Sequence, residues 1–200
     1  MAEYTGFGST ENDEARRNLF NYALQGKWDE VMKLYEQHPW LHLEKTTRSG
    51  DTALHMAVRY HQEKVVQKMV KLVRTPEQYE GVLKSQNVQR NTPLHLAASI
   101  GNVSMCECFT RKCQNLLDIC NEDGETPLFL AARHGKIGAF FFVLREPRES
   151  DLATYIHRRN NKGETILHLA IAGGHFGKHF RPPIIVLHMH TLCKLILINK

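Results

Sequence analysis

The chain repeats one short phrase four times: Thr52-Ala53-Leu54-His55-Met56-Ala57, Thr92-Pro93-Leu94-His95-Leu96-Ala97-Ala98, Thr126-Pro127-Leu128-Phe129-Leu130-Ala131-Ala132 and Thr165-Ile166-Leu167-His168-Leu169-Ala170. The Thr-to-Thr steps are 40, 34 and 39 residues, the period of a stacked helical array and not of a closed globule. An array presents an open surface and needs no central cavity. The constraint therefore points to a chain that holds other molecules and does not transform them.

Each phrase reads as a helix start. A Thr hydroxyl can accept a hydrogen bond from a first-turn amide, worth about 1 kcal/mol. Pro93 and Pro127 follow at the helical position where a missing N–H costs nothing. Gly101, Gly135 and Gly174 come nine residues after their Thr and end a short helix. A second apolar set follows at helical spacing: Val65, Val66, Met69 and Val70, then Met105, Cys106 and Phe109, then Phe140, Val143 and Leu144. Ahead of the Thr residues stand Ser49-Gly50-Asp51, Glu122-Asp123-Gly124 and Asn161-Lys162-Gly163, the chemistry of a hairpin-like tip with positive φ. Asn87, Asn121 and Asn160 precede three of the tips. Each unit is thus helix, tight turn, helix and connecting loop.

Asn121-x-x-Gly124-x-Thr126-Pro127-Leu128 through Ala131-Ala132 and Gly135 resembles the ankyrin repeat. The resemblance implies an all-α ankyrin-repeat solenoid of about five helix-turn-helix units with β-turn tips. Units are expected near 16–45, 46–86, 87–120, 121–159 and 160–175, the last incomplete, within a repeat region of 15–175. The first is degenerate: Leu19 to Gly26, then Val31, Leu34 and Tyr35, keeps the spacing without the Thr head, as terminal repeats do. Residues 1–14 are expected to be a disordered polar tail, and residues 176–200, with Pro182-Pro183 and an apolar end, an atypical one.

The tip wording Gly50-Asp51-Thr52, Gly124-Glu125-Thr126 and Gly163-Glu164-Thr165 further resembles the ankyrin head of plant ankyrin-repeat membrane proteins of the accelerated-cell-death and salt-tolerance type. In those, a membrane domain with a Pro-Gly-Gly signature follows the head. Nothing of that domain is in these 200 residues, and the longest apolar stretch, 184–198, is broken by His188, His190 and Lys194, short of the roughly 20 residues a span requires. Membrane attachment carries over only to a longer relative, and the ending is expected to belong to a truncated or alternative product. Five cysteines and a polar opening segment lead to the expectation of reduced thiols in the cytoplasm or nucleus.

Two departures stand out. Arg90 takes the tip position held elsewhere by Gly50, Gly124 and Gly163, and His61 replaces the helix-ending Gly. The long steps carry extra residues around 74–81 and 145–153, expected to lengthen a helix end or loop.

Catalytic constellations are not found: there is no phosphate loop ending in Lys-Ser/Thr and no Gly-x-Ser-x-Gly elbow, and no enzyme activity or cofactor is expected. His55, His95 and His168 recur at one place in the phrase, where a ring can bond the capping Thr and the turn backbone. A tail metal site from His175, His179, His188, His190 and Cys193 is weighed and set aside because Gly177 and the prolines argue against a rigid helix. Cys106 reads as a small buried hydrophobe.

The resemblance implies a protein partner on the concave groove and turn tips. Groove positions would be Arg59-Tyr60, Ser99-Ile100, Arg133-His134 and Ala172-Gly173. Tip positions would be Arg48, Asp51, Gln89, Arg90, Asp123, Glu125, Lys162 and Glu164. Arg and Tyr are enriched in binding hot spots, so alanine at Arg59, Tyr60 and Arg133 is expected to weaken binding and leave stability nearly unchanged. The competing reading is polyanion binding, to phospholipid or nucleic acid, through His157-Arg158-Arg159, Lys162 and the tail. The net charge of +5, from 26 basic and 21 acidic residues, is too dispersed to favour nucleic acid.

Overall fold

All four Thr phrases, two of them with a Pro neighbour, start helices where the phrase begins. In the computed structural model, which describes residues 7–146 and 152–173, helix α3 is Ala53–Arg59, α6 Pro93–Ile100, α8 Pro127–Arg133 and α11 Ile166–Ala172. The first three are followed by the outer helices α4 (Glu63–Leu72), α7 (Val103–Thr110) and α9 (Ile137–Arg145). Ahead of them, α1 (Phe7–Leu24) and α2 (Trp28–Gln37) form the degenerate first pair. Among the described residues there are helices and 3-10 turns but no strand, only one isolated bridge between Lys45 and Thr52. The fold is an all-α repeat solenoid.

Helix α1 begins at Phe7, so residues 7–14 are helical where a disordered tail was expected; residues 1–6 lie outside the described part. The two long Thr-to-Thr steps hold more than loop. Thr75 caps a short helix, α5 (Pro76–Leu83), through a reciprocal pair with Gln78, the hydroxyl accepting from the Gln78 amide at 3.3 Å. A second, α10 (Leu152–His157), carries buried Tyr155, whose hydroxyl donates to the Leu117 carbonyl at 2.8 Å.

The chain divides into two compact units, Met1–Pro93 and Leu94–Lys200. In the first, Leu19 and Ala23 of α1, Val31 and Tyr35 of α2, Leu54 and Ala57 of α3 and Val66, Met69 and Val70 of α4 are buried. In the second, Leu94 and Ala97 of α6, Met105, Cys106 and Phe109 of α7, Leu128 and Phe129 of α8 and Phe140 and Val143 of α9 are buried. Burying each large aliphatic or aromatic side chain contributes about 1.5–3 kcal/mol. Trimming Phe109 to alanine would cost about 3–5 kcal/mol.

The turn inside each helix pair has one geometry. At Gln62, Asn102 and Lys136 the backbone N–H reaches back five residues, to Ala57, Ala97 and Ala131, at 2.9, 3.1 and 2.8 Å, a Schellman closure with the preceding residue left-handed. That residue is Gly101 or Gly135 in two cases and His61, at φ 56°, in the third. His61 accepts the backbone cost of the left-handed region, about 1 kcal/mol. Gly174, expected to act likewise, lies outside the described residues.

Candidate interaction surface

The tips are four-residue turns, Thr47–Gly50, Asn87–Arg90, Asn121–Gly124 and Asn160–Gly163. In each the last N–H donates to the first carbonyl, at 2.9, 2.8, 3.1 and 2.9 Å. The last residue is left-handed in all four, at φ 71° for Gly50, 59° for Arg90, 76° for Gly124 and 77° for Gly163. The Arg90 tip has therefore not relaxed into another turn. Within each unit the two tips lie close together: the Val88 N–H donates to the Ser49 carbonyl and the Asn161 N–H to the Asp123 carbonyl, both at 2.8 Å. A Cβ on Gly50 would sit 3.2 Å from the Val88 nitrogen, so glycine serves there for proximity as well as for φ.

The first residue of each turn organises it. The Oδ1 atoms of Asn87, Asn121 and Asn160 accept from the amides of Asn91, Glu125 and Glu164 at 2.9, 2.9 and 2.8 Å. Thr47 does the same for Asp51 through its hydroxyl, at 3.0 Å. Two of these Asn amide groups then reach the acid of the preceding repeat: Asn87 Nδ2 donates to Asp51 Oδ1 at 2.8 Å, and Asn160 Nδ2 to Glu125 Oε1 at 2.9 Å. Each acid also takes an arginine from its own inner helix. Arg59 Nε lies 3.0 Å from Asp51 Oδ2, and Arg133 Nη2 pairs with Glu125 Oε1.

These contacts overturn part of the expected surface. Asp51 is 3% and Glu125 1% exposed, so neither offers a carboxylate to a partner. The left-handed residue before each reverses the chain and directs the acid under the tip, against the next repeat's Asn. Arg59 and Arg133 pair with those buried carboxylates, so their replacement is expected to cost stability. Glu164 is half-buried and accepts from Asn160 Nδ2 at 3.0 Å.

The remaining expected positions are more open. Arg48, Gln89, Arg90, Asp123, Lys162 and His134 are exposed, as are Ala172 and Gly173. Ser99 and Ile100 are half-buried, and the Ser99 hydroxyl donates back to the Leu96 carbonyl at 2.8 Å. Tyr60, 51% exposed, has its ring 6.2 Å from that of Trp28. One tip residue was not singled out from sequence: Val88 is 65% exposed at the turn position where the other tips carry Arg48, Glu122 and Asn161. Aligning the four tips would have revealed it. Of the basic cluster near the last tip, Arg158 Nη1 donates to the Asp118 carbonyl at 3.4 Å and Arg159 Nη1 to the Gly163 carbonyl at 2.6 Å.

The repeated histidines are structural. His55 Nδ1 accepts from the Thr52 amide at 3.3 Å and meets its hydroxyl at 2.8 Å, so Nε2 carries the proton and donates to the Asn91 carbonyl at 3.0 Å. Burial lowers the His55 pKa to about 4, the Asn91 bond opposing. His95 Nε2 reaches the Glu125 carbonyl at 3.1 Å, and His168 Nδ1 the Thr165 hydroxyl at 2.7 Å. The third phrase has Phe129 in this place, and the buried Thr126 hydroxyl makes no hydrogen bond among the described residues. Cys106 is buried and its thiol is pushed up to about 12 by burial. Lys45 is held below its ordinary value by burial, the Asp51 carboxylate opposing, while its Nζ donates to Ser85 Oγ at 2.8 Å and the Gln86 carbonyl at 2.7 Å.

Among the described residues no three His, Cys, Asp or Glu side chains group as metal ligands, and no helix is long and apolar enough to cross a membrane. The tail histidines and Cys193 lie outside those residues.

A family profile described as Ankyrin repeats (3 copies) matches residues 68–152, and one described as Ankyrin repeat matches residues 49–73. The chain is similar to NF-kappa-B inhibitor alpha of Sus scrofa, 33% identical over 141 residues, which are 70% of this chain and 42% of that protein. It is similar to Neurogenic locus notch homolog protein 4 of Homo sapiens, 32% identical over 88 residues, 44% of this chain and 4% of that protein. It also matches Alpha-latrotoxin-Lt1a of Latrodectus tredecimguttatus, 26% identical over 162 residues, 79% of this chain and 11% of that one. The chain thus spans less than half the length of these curated relatives. The periodic Thr phrase, the left-handed tips and these matches agree: the chain is built of ankyrin repeats.

Proposed function

We propose that this chain is a non-enzymatic protein-binding scaffold that meets a protein partner through its turn tips and the exposed ends of its inner helices. One observation carries the reading. In its first three occurrences the repeated phrase buries its Thr, Leu, Ala and His, whereas Tyr60, Arg48, Val88, Arg90, His134 and Lys162 are left to solvent. Half-exposed aromatic and arginine side chains on a rigid support are the composition of binding hot spots. The similarity to a protein named as an inhibitor of another protein supports the same class of role.

Crosslinking capture from a cell extract, with the chain as bait, tests this. Recovery of a protein whose binding falls at least about tenfold with Tyr60→Ala supports the reading. Turnover by the purified chain, or capture unaffected by Tyr60→Ala and His134→Ala together, would sink it.

A finer version makes the chain a cytoplasmic head related to plant signalling and stress-response membrane proteins. Its support is the tip wording Gly50-Asp51-Thr52, Gly124-Glu125-Thr126 and Gly163-Glu164-Thr165. Sequencing the transcript past the Lys200 codon is its test: a membrane domain in a longer form supports it, and a single short form argues against it.

A further inference from the structure

We infer that the tip face of the first unit binds an acidic peptide segment of a partner protein, with Arg59, Arg90 and Arg48 meeting its carboxylates and Val88 an apolar side chain between them. The inference rests on the protein-binding reading and names the partner's chemistry.

The tip contacts place the turns that carry Arg48 and Arg90 side by side. Val88 and Ser49 are joined backbone to backbone at 2.8 Å, which sets the Arg48 turn beside the Arg90 turn. Asp51 joins the same two repeats, accepting from Asn87 at 2.8 Å and from Arg59 at 3.0 Å. That pair engages only Nε of Arg59, which remains 45% exposed, so both Nη groups are left without a hydrogen-bond or ion-pair partner among the described residues. A fork held from behind is suited to a bidentate carboxylate. Arg48 and Arg90 are exposed and make no side-chain hydrogen bond or ion pair among the described residues. The acid of this face, Asp51, is buried and already used, which leaves the exposed charge cationic. By contrast, the Asn121–Gly124 tip of the second unit exposes Glu122 and Asp123.

The backbone adds a separate reason. Arg90 and His61 are the two non-glycine residues at positive φ among the described residues. At the other three tips that position is glycine, so the Arg90 side chain is retained against a conformational cost. Among the described residues no hydrogen bond or ion pair of the Arg90 guanidinium offsets it.

A random-peptide display library, panned on the full chain, supplies the probe. Enriched peptides should carry Asp or Glu flanking an apolar residue. A synthetic peptide of the enriched sequence should lose about tenfold in affinity with Arg90→Gly, and again with Arg48→Ala. Arg90→Gly relieves the backbone, so its thermal midpoint should not fall and lost binding cannot be blamed on unfolding. Neutral or basic enriched peptides, no enrichment, or unchanged affinity in Arg90→Gly would overturn the inference. So would displacement of the peptide by phosphatidylserine vesicles or a single-stranded oligonucleotide binding more tightly at physiological salt. If crosslinking recovers a Tyr60-dependent partner while these results fail, the scaffold reading survives and only the acidic partner is lost.

Discussion

Arg59 Nε lies 3.0 Å from Asp51 Oδ2, and the carboxylate it meets is almost wholly buried. An arginine that looks from sequence like a groove contact is also the counter-charge that keeps an acid under a tip. Arg133 and Glu125 repeat the relationship in the second unit.

Removing the arginine should therefore cost stability. Among the described residues Arg133→Ala leaves the Glu125 carboxylate with Asn160 alone for compensation, and a loss of about 1–3 kcal/mol is expected. Urea unfolding of the purified variant measures it. An unchanged midpoint and slope would show that the pair contributes nothing.

The Arg90 tip gives the opposite sign. Glycine at φ 59° removes a side-chain penalty of about 1 kcal/mol, partly offset by the greater freedom of the unfolded chain. Arg90→Gly should raise the thermal midpoint slightly, whereas Gly124→Ala, at φ 76° and with Asn161 pressed against it, should lower it.

Two threonines at equivalent places should respond differently. Thr52 takes part in a reciprocal cap with His55, so Thr52→Val should cost about 1–2 kcal/mol. The Thr126 hydroxyl is buried and unbonded, so Thr126→Val should be close to neutral. Equal losses in chemical denaturation would contradict the hydrogen-bond assignment.

The His55 ring makes stability depend on pH. Its folded pKa, about 4, lies below the ordinary 6.5, so the unfolded chain binds more protons between these values. The contribution is fully present above about pH 6.5 and is lost as pH falls toward 4, on the order of 3 kcal/mol. Phe129 shows that the phrase can hold a phenyl ring at this position. His55→Phe should give a flatter stability profile across that window than the parent chain, since carboxylate titration is common to both. Identical profiles would exclude His55 as the cause.

Much of the fold is legible because its signals are local. Thr with Pro starts a helix, and Gly101 and Gly135 end one. Gly50 and Gly124 mark tips through a backbone conformation that needs no distant partner. Helix α5 carried the same grammar, Thr75-Pro76 with Gln78 three residues on, and reading 74–81 as a lengthened helix end or loop overlooked it. Helix α10 offered less, a short apolar step whose Tyr155 is anchored by a carbonyl 38 residues away.

The amino-acid order alone determined the period, the helix starts and the left-handed turns, since each depends on neighbours within a few residues. Which polar side chains face a partner was decided only by the folded chain. Asp51 and Arg48 are three residues apart in one tip, yet one is buried and the other open. The difference comes from Asn87, 36 residues further on, whose amide reaches Asp51 only once its repeat has stacked. Burial of a charge depends on that second layer of contacts, which no single repeat contains.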